Sequence, residues 1–380
     1  MKIQQGIKWT LIICFIAILL FPMVLADFSG GKISASENRI LATPPTYAGD
    51  LKAFNTGMES WLNDNVGFRD AARKAVTYLE YHLFQNSAKS SDLLGKENWI
   101  YYYTQDILDD FTGAQSFSQN ERQTFTDAMQ TITHELSARG CETLFVIAPD
   151  KKSVYPEFYP NGIHRIAEKS RMTLLCEELA REGVNILNLQ PAMEQSKAAG
   201  TLYSPRIDDA HWNALGAFVG YQATCERLKG LSPRMLALSD CTIASYEKKG
   251  LFNGTVPISE YGYEIHTGFE NSFTDTSFEL GTLQKLLYNQ DASTYQKRFT
   301  SETHTLPKLL YVGDSYMQRG MWFYPQSFSE VTYLHFSDMA EFWTVQETFL
   351  PDVVVFESAE RMLTFWQAQL VTCVQSITPQ

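Results

Sequence analysis

The sequence predicts an α/β fold in which a parallel sheet carries helices on both faces. Apolar runs without polar alternation, such as residues 143–148, are typical of strands buried on both faces of such a sheet. Segments with apolar residues at helical spacing alternate with these runs along the chain, which favours layered α/β architecture. Sheets of this kind bind ligands beyond the carboxyl ends of their strands. We therefore expect functional residues to follow strand ends.

Composition restricts the function classes. The chain has 380 residues, of which 44% are hydrophobic and 19% charged, enough for one large domain or two. A net charge of -12 argues against binding to nucleic acid backbones. The six cysteines form no CxxC and no metal-ligand spacing, so we expect neither a zinc site nor any other metal site. In an exported domain, the five cysteines outside the leader could pair in part.

The N-terminal segment has the pattern of an export signal. Lys2 and Lys8 precede an uncharged apolar run over residues 9–26. The length of this run is borderline between a cleaved signal peptide and a spanning helix. Val24-Leu25-Ala26 satisfies the small-residue rule for cleavage, whereas the length of the run favours an uncleaved anchor. We predict a single-pass anchor at residues 1–26 with the rest outside the cytoplasm, or a secreted domain if the leader is cleaved.

The segments after the leader divide into a linker and one large region. Residues 27–49 are rich in Gly, Ser and Pro and are typical of a linker, and residues 50–380 are predicted to form the extracytoplasmic domain. Apolar spacings of three and four over residues 51–81 predict two amphipathic helices with a break at 63–70. Residues 95–103 predict a turn that leads into an aromatic strand.

Helix and strand signals then alternate to the C-terminus. Ser118-Gln119-Asn120-Glu121 matches a capping box and predicts a helix that continues to about Arg139. The remaining predicted elements are helices at 166–182, 212–228 and 359–376 and strands at 143–148, 184–189, 330–336 and 352–356. The polar, Gly-, Thr- and Tyr-rich stretch 232–306 fits an insertion that could shape a substrate groove.

A candidate nucleophile follows one of the predicted strands. The apolar run 309–312 ends at Gly313, and Asp314 and Ser315 follow on a tight turn. A hydroxyl at a strand-to-helix turn is lifted out of the sheet and lies near helix N–H groups that can stabilise an oxyanion. Gly-Asp-Ser is also ordinary turn chemistry, and the tripeptide alone favours a turn. Ser315 can act as a nucleophile only if a general base lies beside it.

His211 is the candidate base, because the other six of the seven histidines stand without a nearby motif. A serine nucleophile needs a base, and the base needs an orienting carboxylate. Asp209 lies two residues before His211, and residues two apart in extended backbone point the same way. Asp209 can then accept the Nδ1 proton of His211. The alternative is that Asp208 or Asp209 only caps the helix that begins near Trp212.

These motifs resemble a known family. Asp209-Ala210-His211-Trp212-Asn213, with Gly313-Asp314-Ser315 downstream, resembles the SGNH-hydrolase-like domain of alginate O-acetyltransferases. The Asp-x-His-Trp element also resembles that of the DHHW proteins of Gram-positive bacteria, although Ala210 replaces the His at the second position of that pattern. Further segments match the family's motifs in the same order, and they lie within residues 37–44, 63–69, 95–101, 149–157 and 351–361.

The resemblance implies both a fold and an activity. The fold is an SGNH-hydrolase-like (flavodoxin-like) parallel sheet with a permuted order of catalytic motifs. The implied triad is Ser315, His211 and Asp209, which would move an acetyl group through an acetyl-serine to hydroxyls of an exopolysaccharide or cell-wall polymer. A membrane-bound O-acyltransferase would supply the acetyl group, and no cofactor is implied. Of the oxyanion donors, the sequence indicates only the backbone N–H of Ser315.

Four further residues are candidates for substrate binding. Lys151 could bind an acidic sugar, and Tyr155, Tyr316 and Arg319 could line the site, with packing or solvation as the alternative for each. Two other functions fit the same residues. One is a secreted carbohydrate O-acetylesterase with the same triad, and the other is a non-catalytic polysaccharide-binding or assembly protein. The sequence specifies neither the polysaccharide nor the acetyl donor.

Overall fold

The computed structural model describes residues 2–27, 31–34, 39–84, 86–87, 89–275 and 297–377. The chain forms two compact units, one of residues 1–90 with 250–258 and one of residues 91–249 with 259–380. Two sequence-based expectations fall partly outside the described residues. They are the motif segment 37–38 and the part of the predicted insertion that spans 276–296.

The first unit contains the apolar leader and two further helices. Its helices and strands are α1 (Lys2–Val24), β1 (Ile33–Ser34), β2 (Arg39–Ile40), α2 (Leu51–Asn65) and α3 (Arg69–Leu79). Among the described residues, α1 is the one helix long and apolar enough to cross a membrane, with a mean hydropathy of 2.4 over Ile7–Val24. Asp50 caps α2 by accepting from the N–H groups of Lys52 and Ala53. The helices α2 and α3 correspond to the two predicted amphipathic helices.

The second unit contains the central sheet. Its helices are α4 (Gln105–Thr112), α5 (Gln119–Ala138), α6 (Lys151–Val154), α7 (Arg171–Arg181), α8 (Gln190–Ser196), α9 (Ala214–Arg227), α10 (Met317–Gly320), α11 (Phe342–Phe349) and α12 (Leu363–Gln375). Its sheet strands are β5 (Glu142–Ala148), β6 (Ile186–Asn188), β9 (Phe273–Asp275), β10 (Lys297–Ser301), β11 (Lys308–Gly313), β12 (Glu330–His335) and β13 (Val353–Ala359). Two antiparallel pairs complete the described strands. They are β3 (Asp92–Leu94) with β4 (Ile100–Tyr102) in the second unit, and β7 (Thr242–Phe252) with β8 (Val256–His266), of which residues 250–258 are part of the first unit.

The sheet is parallel at its centre and antiparallel at one edge. The seven strands have the order β6-β5-β13-β11-β12-β10-β9. The first five in this order pair in parallel, which confirms the predicted parallel sheet. Strand β10 pairs antiparallel with β12 and with β9, and the sequence did not predict this edge. The antiparallel edge belongs to the stretch that was interpreted as an insertion.

Both faces of the sheet are covered, as the uninterrupted apolar runs predicted. Along β5, Leu144 and Val146 belong to one core cluster, whereas Phe145 and Ile147 belong to the other. Successive side chains of a strand point to opposite faces, so a strand buried on both faces must be apolar throughout. The capping box of α5 is present, with Ser118 and Glu121 each accepting from the other's N–H group.

Three parallel neighbours bring polar residues to one edge. Strands β5, β13 and β11 are adjacent, and their carboxyl ends are followed by Asp150, Glu360 and Asp314 respectively. These are the ends at which parallel sheets bind ligands. The candidate site therefore lies where the alternation of helix and strand predicts it.

Candidate functional site

The turn that carries Ser315 is fixed by the aspartate before it. Asp314 Oδ1 accepts from the N–H of Tyr316 at 2.8 Å, and Oδ2 accepts from the N–H of Ala359 at 2.8 Å. The side chain is 3% exposed, and burial raises its pKa. Asp314 thus ties the turn after β11 to the end of β13, and it leaves the half-buried Ser315 at the carboxyl edge of the sheet.

The structure brings His211 and Ser315 together. His211 Nε2 lies 2.9 Å from Ser315 Oγ, although the two residues are 104 positions apart in the chain. This distance is within the reach that a general base needs for the proton it removes. The His211 side chain is 25% exposed, so the pair is accessible from solvent.

The carboxylate at the other ring nitrogen belongs to Asp208. His211 Nδ1 lies 3.1 Å from Asp208 Oδ1 and 3.3 Å from Oδ2. The predicted contact with Asp209 is therefore corrected, because the backbone here turns back instead of extending. Asp208 Oδ1 accepts from the N–H of Ala210 at 3.0 Å and of His211 at 2.9 Å. This turn brings the residue three before His211, rather than two before it, beside the ring.

The surroundings of Asp208 keep it ionised. Burial by itself would raise the pKa of this carboxyl, but the hydrogen bond and charge of His211, with the N–H groups of Ala210 and His211, hold the pKa well below its usual range. Arg319 Nη2 lies 3.1 Å from Asp208 Oδ2 and its side chain is 49% exposed. Asp208 is thus a fixed negative charge next to the imidazole.

Neither aspartate caps the helix that follows, so the capping alternative is wrong. The helix α9 begins at Ala214, and its cap is Asn213, whose side chain accepts from the N–H groups of Leu215 and Gly216. Trp212 Nε1 donates to the carbonyl of Tyr316 at 3.0 Å. The segment with His211 is thereby attached to the turn with Ser315. The asparagine before the apolar run was a sequence signal for this cap.

Two of the predicted substrate-binding residues are buried. Lys151 is 2% exposed, and its ammonium donates to the carbonyl of Ile100 at 2.8 Å and of Asp208 at 2.5 Å. Tyr155 is 5% exposed, and its hydroxyl accepts from the N–H of Leu202 at 3.0 Å. Both predictions are corrected, because these groups already have interior partners and present almost no surface to a sugar.

The other two candidates differ from each other. Tyr316 is fully buried, and its hydroxyl donates to the carbonyl of Ala210 at 2.7 Å, so its predicted contact with substrate is corrected too. Arg319 lies on the exposed rim beside Asp208. Of the four predicted substrate-binding residues, Arg319 is the one that presents a polar group to solvent next to Ser315. Its role in substrate binding stays a prediction.

A buried group of charges lies behind the site, and the sequence reasoning did not predict how its members pair. Arg361 Nη1 contacts Asp150 Oδ1 at 2.5 Å, and Lys152 Nζ contacts Asp110 Oδ2 at 2.5 Å and Glu360 Oε1 at 2.9 Å. Burial alone would raise the pKa of Glu360, but the ammonium of Lys152 lowers it to about 2. Charged residues that directly follow buried strands were the available signal, since such groups must pair when buried.

A further acid lies under the turn. Glu357, on β13, is fully buried, and burial with the neighbouring charge of Asp314 raises its pKa well above its usual range. A Cβ placed on Gly313 would lie 2.6 Å from Glu357 Oε2. The Glu357 carboxyl group thus fills the space beside Gly313, and a larger residue at this position would have to displace it.

The site offers a small pocket but no cluster of metal ligands. Across the described residues, no group of three or more His, Cys, Asp or Glu side chains could hold a metal ion. A small pocket lies beside Ala210, and its lining includes Tyr102, Lys151, Asp209 and Arg361. All six cysteines lie in the described residues as free thiols, so the structure contains none of the pairs that the sequence left open.

Comparisons with known proteins identify the family and the fold of this chain. A family model described as "SGNH hydrolase-like domain, acetyltransferase AlgX" matches residues 93–333. The structure of Bacillus cereus PatB1 with a sulfonyl adduct is similar with a TM-score of 0.54 and 18% identity, over 72% of this chain and 97% of that one. This likeness confirms the SGNH-like fold.

Two other solved structures are similar at lower scores. The O-acetyltransferase domain of Pseudomonas putida AlgJ has a TM-score of 0.46 and 17% identity, over 74% of this chain and 98% of that one. A DHHW family protein from Eubacterium siraeum has a TM-score of 0.47 and 14% identity, over 72% of this chain and 92% of that one. No curated protein matches the chain.

Proposed function

Because this chain belongs to the AlgX family of SGNH hydrolase-like acetyltransferase domains, we propose that it transfers acetyl groups to hydroxyls of an exopolysaccharide or cell-wall polymer. The observation that carries the proposal is the line of side chains at the sheet edge. Ser315 Oγ lies 2.9 Å from one nitrogen of His211, and Asp208 lies 3.1 Å from the other. This is the arrangement of nucleophile, base and orienting carboxylate that acyl transfer through serine requires.

In the proposed mechanism, acetyl transfer takes two steps that use the same base. His211 Nε2 accepts the proton of Ser315 while Oγ attacks the acetyl carbonyl, and the protonated imidazole then gives that proton to the leaving group of the donor. The acetyl-serine is next attacked by a sugar hydroxyl, whose proton passes to His211 and then to Ser315 Oγ as the ester bond breaks. The enzyme returns to its starting state, and one acetyl group has moved.

Asp208 has two tasks in this mechanism. By accepting the Nδ1 proton, it selects the tautomer in which Nε2 is free to act as the base. It also stabilises the imidazolium that forms when the proton of Ser315 arrives. For the oxyanion we propose the backbone N–H of Ser315 as one donor. The neighbouring N–H of Tyr316 is already bound to Asp314 Oδ1.

The proposed setting is the outer face of the cell membrane. The apolar helix α1 would anchor the chain, with residues 27–49 as a linker and residues 50–380 as the catalytic region. The acceptor is a polysaccharide, and a membrane-bound O-acyltransferase would supply acetyl groups from the other side of the bilayer. If the leader is cleaved, the same domain acts as a secreted protein.

The test uses the full-length chain in detergent with an activated acetyl ester, with and without an oligosaccharide acceptor. We expect acetylated sugar by mass spectrometry and loss of both ester cleavage and transfer in Ser315→Ala. Ser337→Ala is the matched control, because Ser337 Oγ also contacts a histidine, His335 Nδ1, at 2.7 Å. Unchanged ester cleavage in Ser315→Ala would reject the nucleophile. Cleavage without sugar acetylation would identify an esterase, and no cleavage by the unsubstituted chain would favour a binding protein.

A further inference from the structure

We propose that Lys151 is a positioning residue for acetyl transfer, which fixes the peptide carbonyl of Asp208 so that the Asp208 carboxylate meets His211. The proposal rests on the proposed function, because it assigns Lys151 a task within that site. Its basis is the pair of interior hydrogen bonds from Lys151 Nζ, 2.5 Å to the Asp208 carbonyl and 2.8 Å to the Ile100 carbonyl. An ammonium can donate to both carbonyls at once.

The two hydrogen bonds from Lys151 join strand β4 to the loop that contains Asp208. Without Lys151, the carbonyls of Ile100 and Asp208 would both lack this donor. Strand β4 already holds the loop at two points, since the N–H of Ile100 donates to the Pro205 carbonyl and the N–H of Tyr102 donates to the Asp209 carbonyl, each at 2.8 Å. Between these points, the carbonyls of Ile100 and Asp208 need a donor. Lys151 supplies it, because a buried carbonyl without a partner is costly.

The position of Lys151 in the fold makes this bridge rigid. Lys151 is the first residue of α6, and two residues separate it from the end of β5. Strand β5 is an inner strand of the parallel sheet, paired with β6 on one side and with β13 on the other, so the ammonium extends from the core toward the loop. The next residue, Lys152, pairs instead with the carboxylates of Asp110 and Glu360. The two adjacent lysines thus have different partners, and Lys151 is the one directed at the Asp208 loop.

The bridge should depend on pH. Burial lowers the pKa of Lys151 to about 8, although four carboxylates that face it oppose this shift. They are Asp208 and Asp209 on the loop, Glu260 on β8 and Asp92 on β3. The ring of Tyr101, on β4, lies 5.8 Å from the ammonium. The charged form donates the stronger hydrogen bonds and prevails below about pH 8, so the hold on Asp208 weakens as pH rises through that value.

The kinetic test compares Lys151→Met and Lys151→Arg in the full-length chain. Lys151→Met should lower kcat for acetylation of Ser315 by about 10- to 100-fold with little change in KM, since small misplacement of a catalytic group has such effects. The unsubstituted chain should lose activity above about pH 8. Lys151→Arg should retain more activity than Lys151→Met. It should also keep its activity above about pH 8, because arginine stays charged. The control is Lys229→Met, whose side chain is 70% exposed.

A second readout does not depend on acetyl transfer. The proton between His211 Nδ1 and Asp208 should give a downfield NMR signal in the unsubstituted chain and in Ser315→Ala. We expect this signal to weaken as pH rises through about 8 and to be shifted or lost in Lys151→Met. The role of Lys151 would be overturned if the signal stayed the same both at alkaline pH and in Lys151→Met. It would also be overturned if Lys151→Arg lost activity at alkaline pH as the unsubstituted chain does. Failure of the proposed function would appear separately, as ester cleavage that survives in Ser315→Ala.

Discussion

Replacement of Asp208 by Asn should reduce acetylation of Ser315 far more than the same replacement at the adjacent Asp209. The Asp208 carboxylate lies 3.1 Å from His211 Nδ1 and carries a full charge at neutral pH. Asn at this position can still accept from the N–H groups of Ala210 and His211, so the turn should keep its shape. The charge is lost, however, and the amide group can donate to Nδ1.

The magnitude follows from the tautomer that this donation selects. With Nδ1 as an acceptor, the imidazole carries its proton on Nε2, the atom that lies 2.9 Å from Ser315 Oγ and must accept the serine proton. The corresponding substitution in serine proteases costs about 10⁴ in kcat. Asp208 is 18% exposed, and water can reduce part of the effect, so we expect a loss of about 10²- to 10⁴-fold, or about 3–5 kcal/mol of activation free energy.

The adjacent aspartate is the matched comparison. Asp209→Asn should change the rate by less than about tenfold, because the carboxylate that lies beside His211 Nδ1 is that of Asp208. Rapid-mixing measurement of leaving-group release from an activated acetyl ester compares the two variants, and thermal unfolding checks that both are folded. The reasoning would be refuted if Asp209→Asn lost activity by orders of magnitude while Asp208→Asn kept the normal rate.

Three further predictions concern stability. Gly313→Ala should lower the free energy of unfolding by about 1–3 kcal/mol in urea titrations, because the new Cβ would lie 2.6 Å from Glu357 Oε2; an unchanged midpoint would show that the acid moves freely. Lys152→Met should cost about 3–5 kcal/mol in the same assay, since Glu360 would lose its buried cation and Asp110 would lose one of its two, the other being Arg171; a neutral effect would mean that both acids are protonated. The pKa of Glu360 is lowered from 4.5 to about 2, so its stabilising contribution is present above pH 4.5 and is lost as pH falls toward 2. Glu360→Gln should therefore flatten the acid side of the stability profile, and an unaltered profile would assign acid unfolding to other groups.

The sequence was sufficient for the parts of the fold that depend on repeating patterns. The apolar runs at β5 and β13 predicted strands buried on both faces, and the capping box predicted the start of α5. The run before Gly313 placed Ser315 at a strand end. The antiparallel edge formed by β9 and β10 could not be predicted, because short polar strands carry little periodic signal.

The parts of the site that were misassigned depend on backbone direction and burial. The choice of Asp209 assumed extended backbone, but a turn stabilised by the Asp208 side chain brings the other carboxylate to His211. Lys151 was interpreted as a group that faces solvent, since lysines are rarely buried. Lys151 can be buried because its ammonium donates to the carbonyls of Ile100 and Asp208. Both carbonyls are distant from Lys151 in the chain, so the residues around Lys151 do not predict these contacts.

The central claim is that an acetyl group passes through Ser315. Its most direct test is peptide mapping by mass spectrometry after the full-length chain has been mixed with an activated acetyl ester and rapidly quenched. We predict one added acetyl group on the peptide that contains Ser315, and its absence in Ser315→Ala and in His211→Ala. An acetyl group on a different residue, or undiminished ester turnover with Ser315 unmodified throughout, would contradict the account.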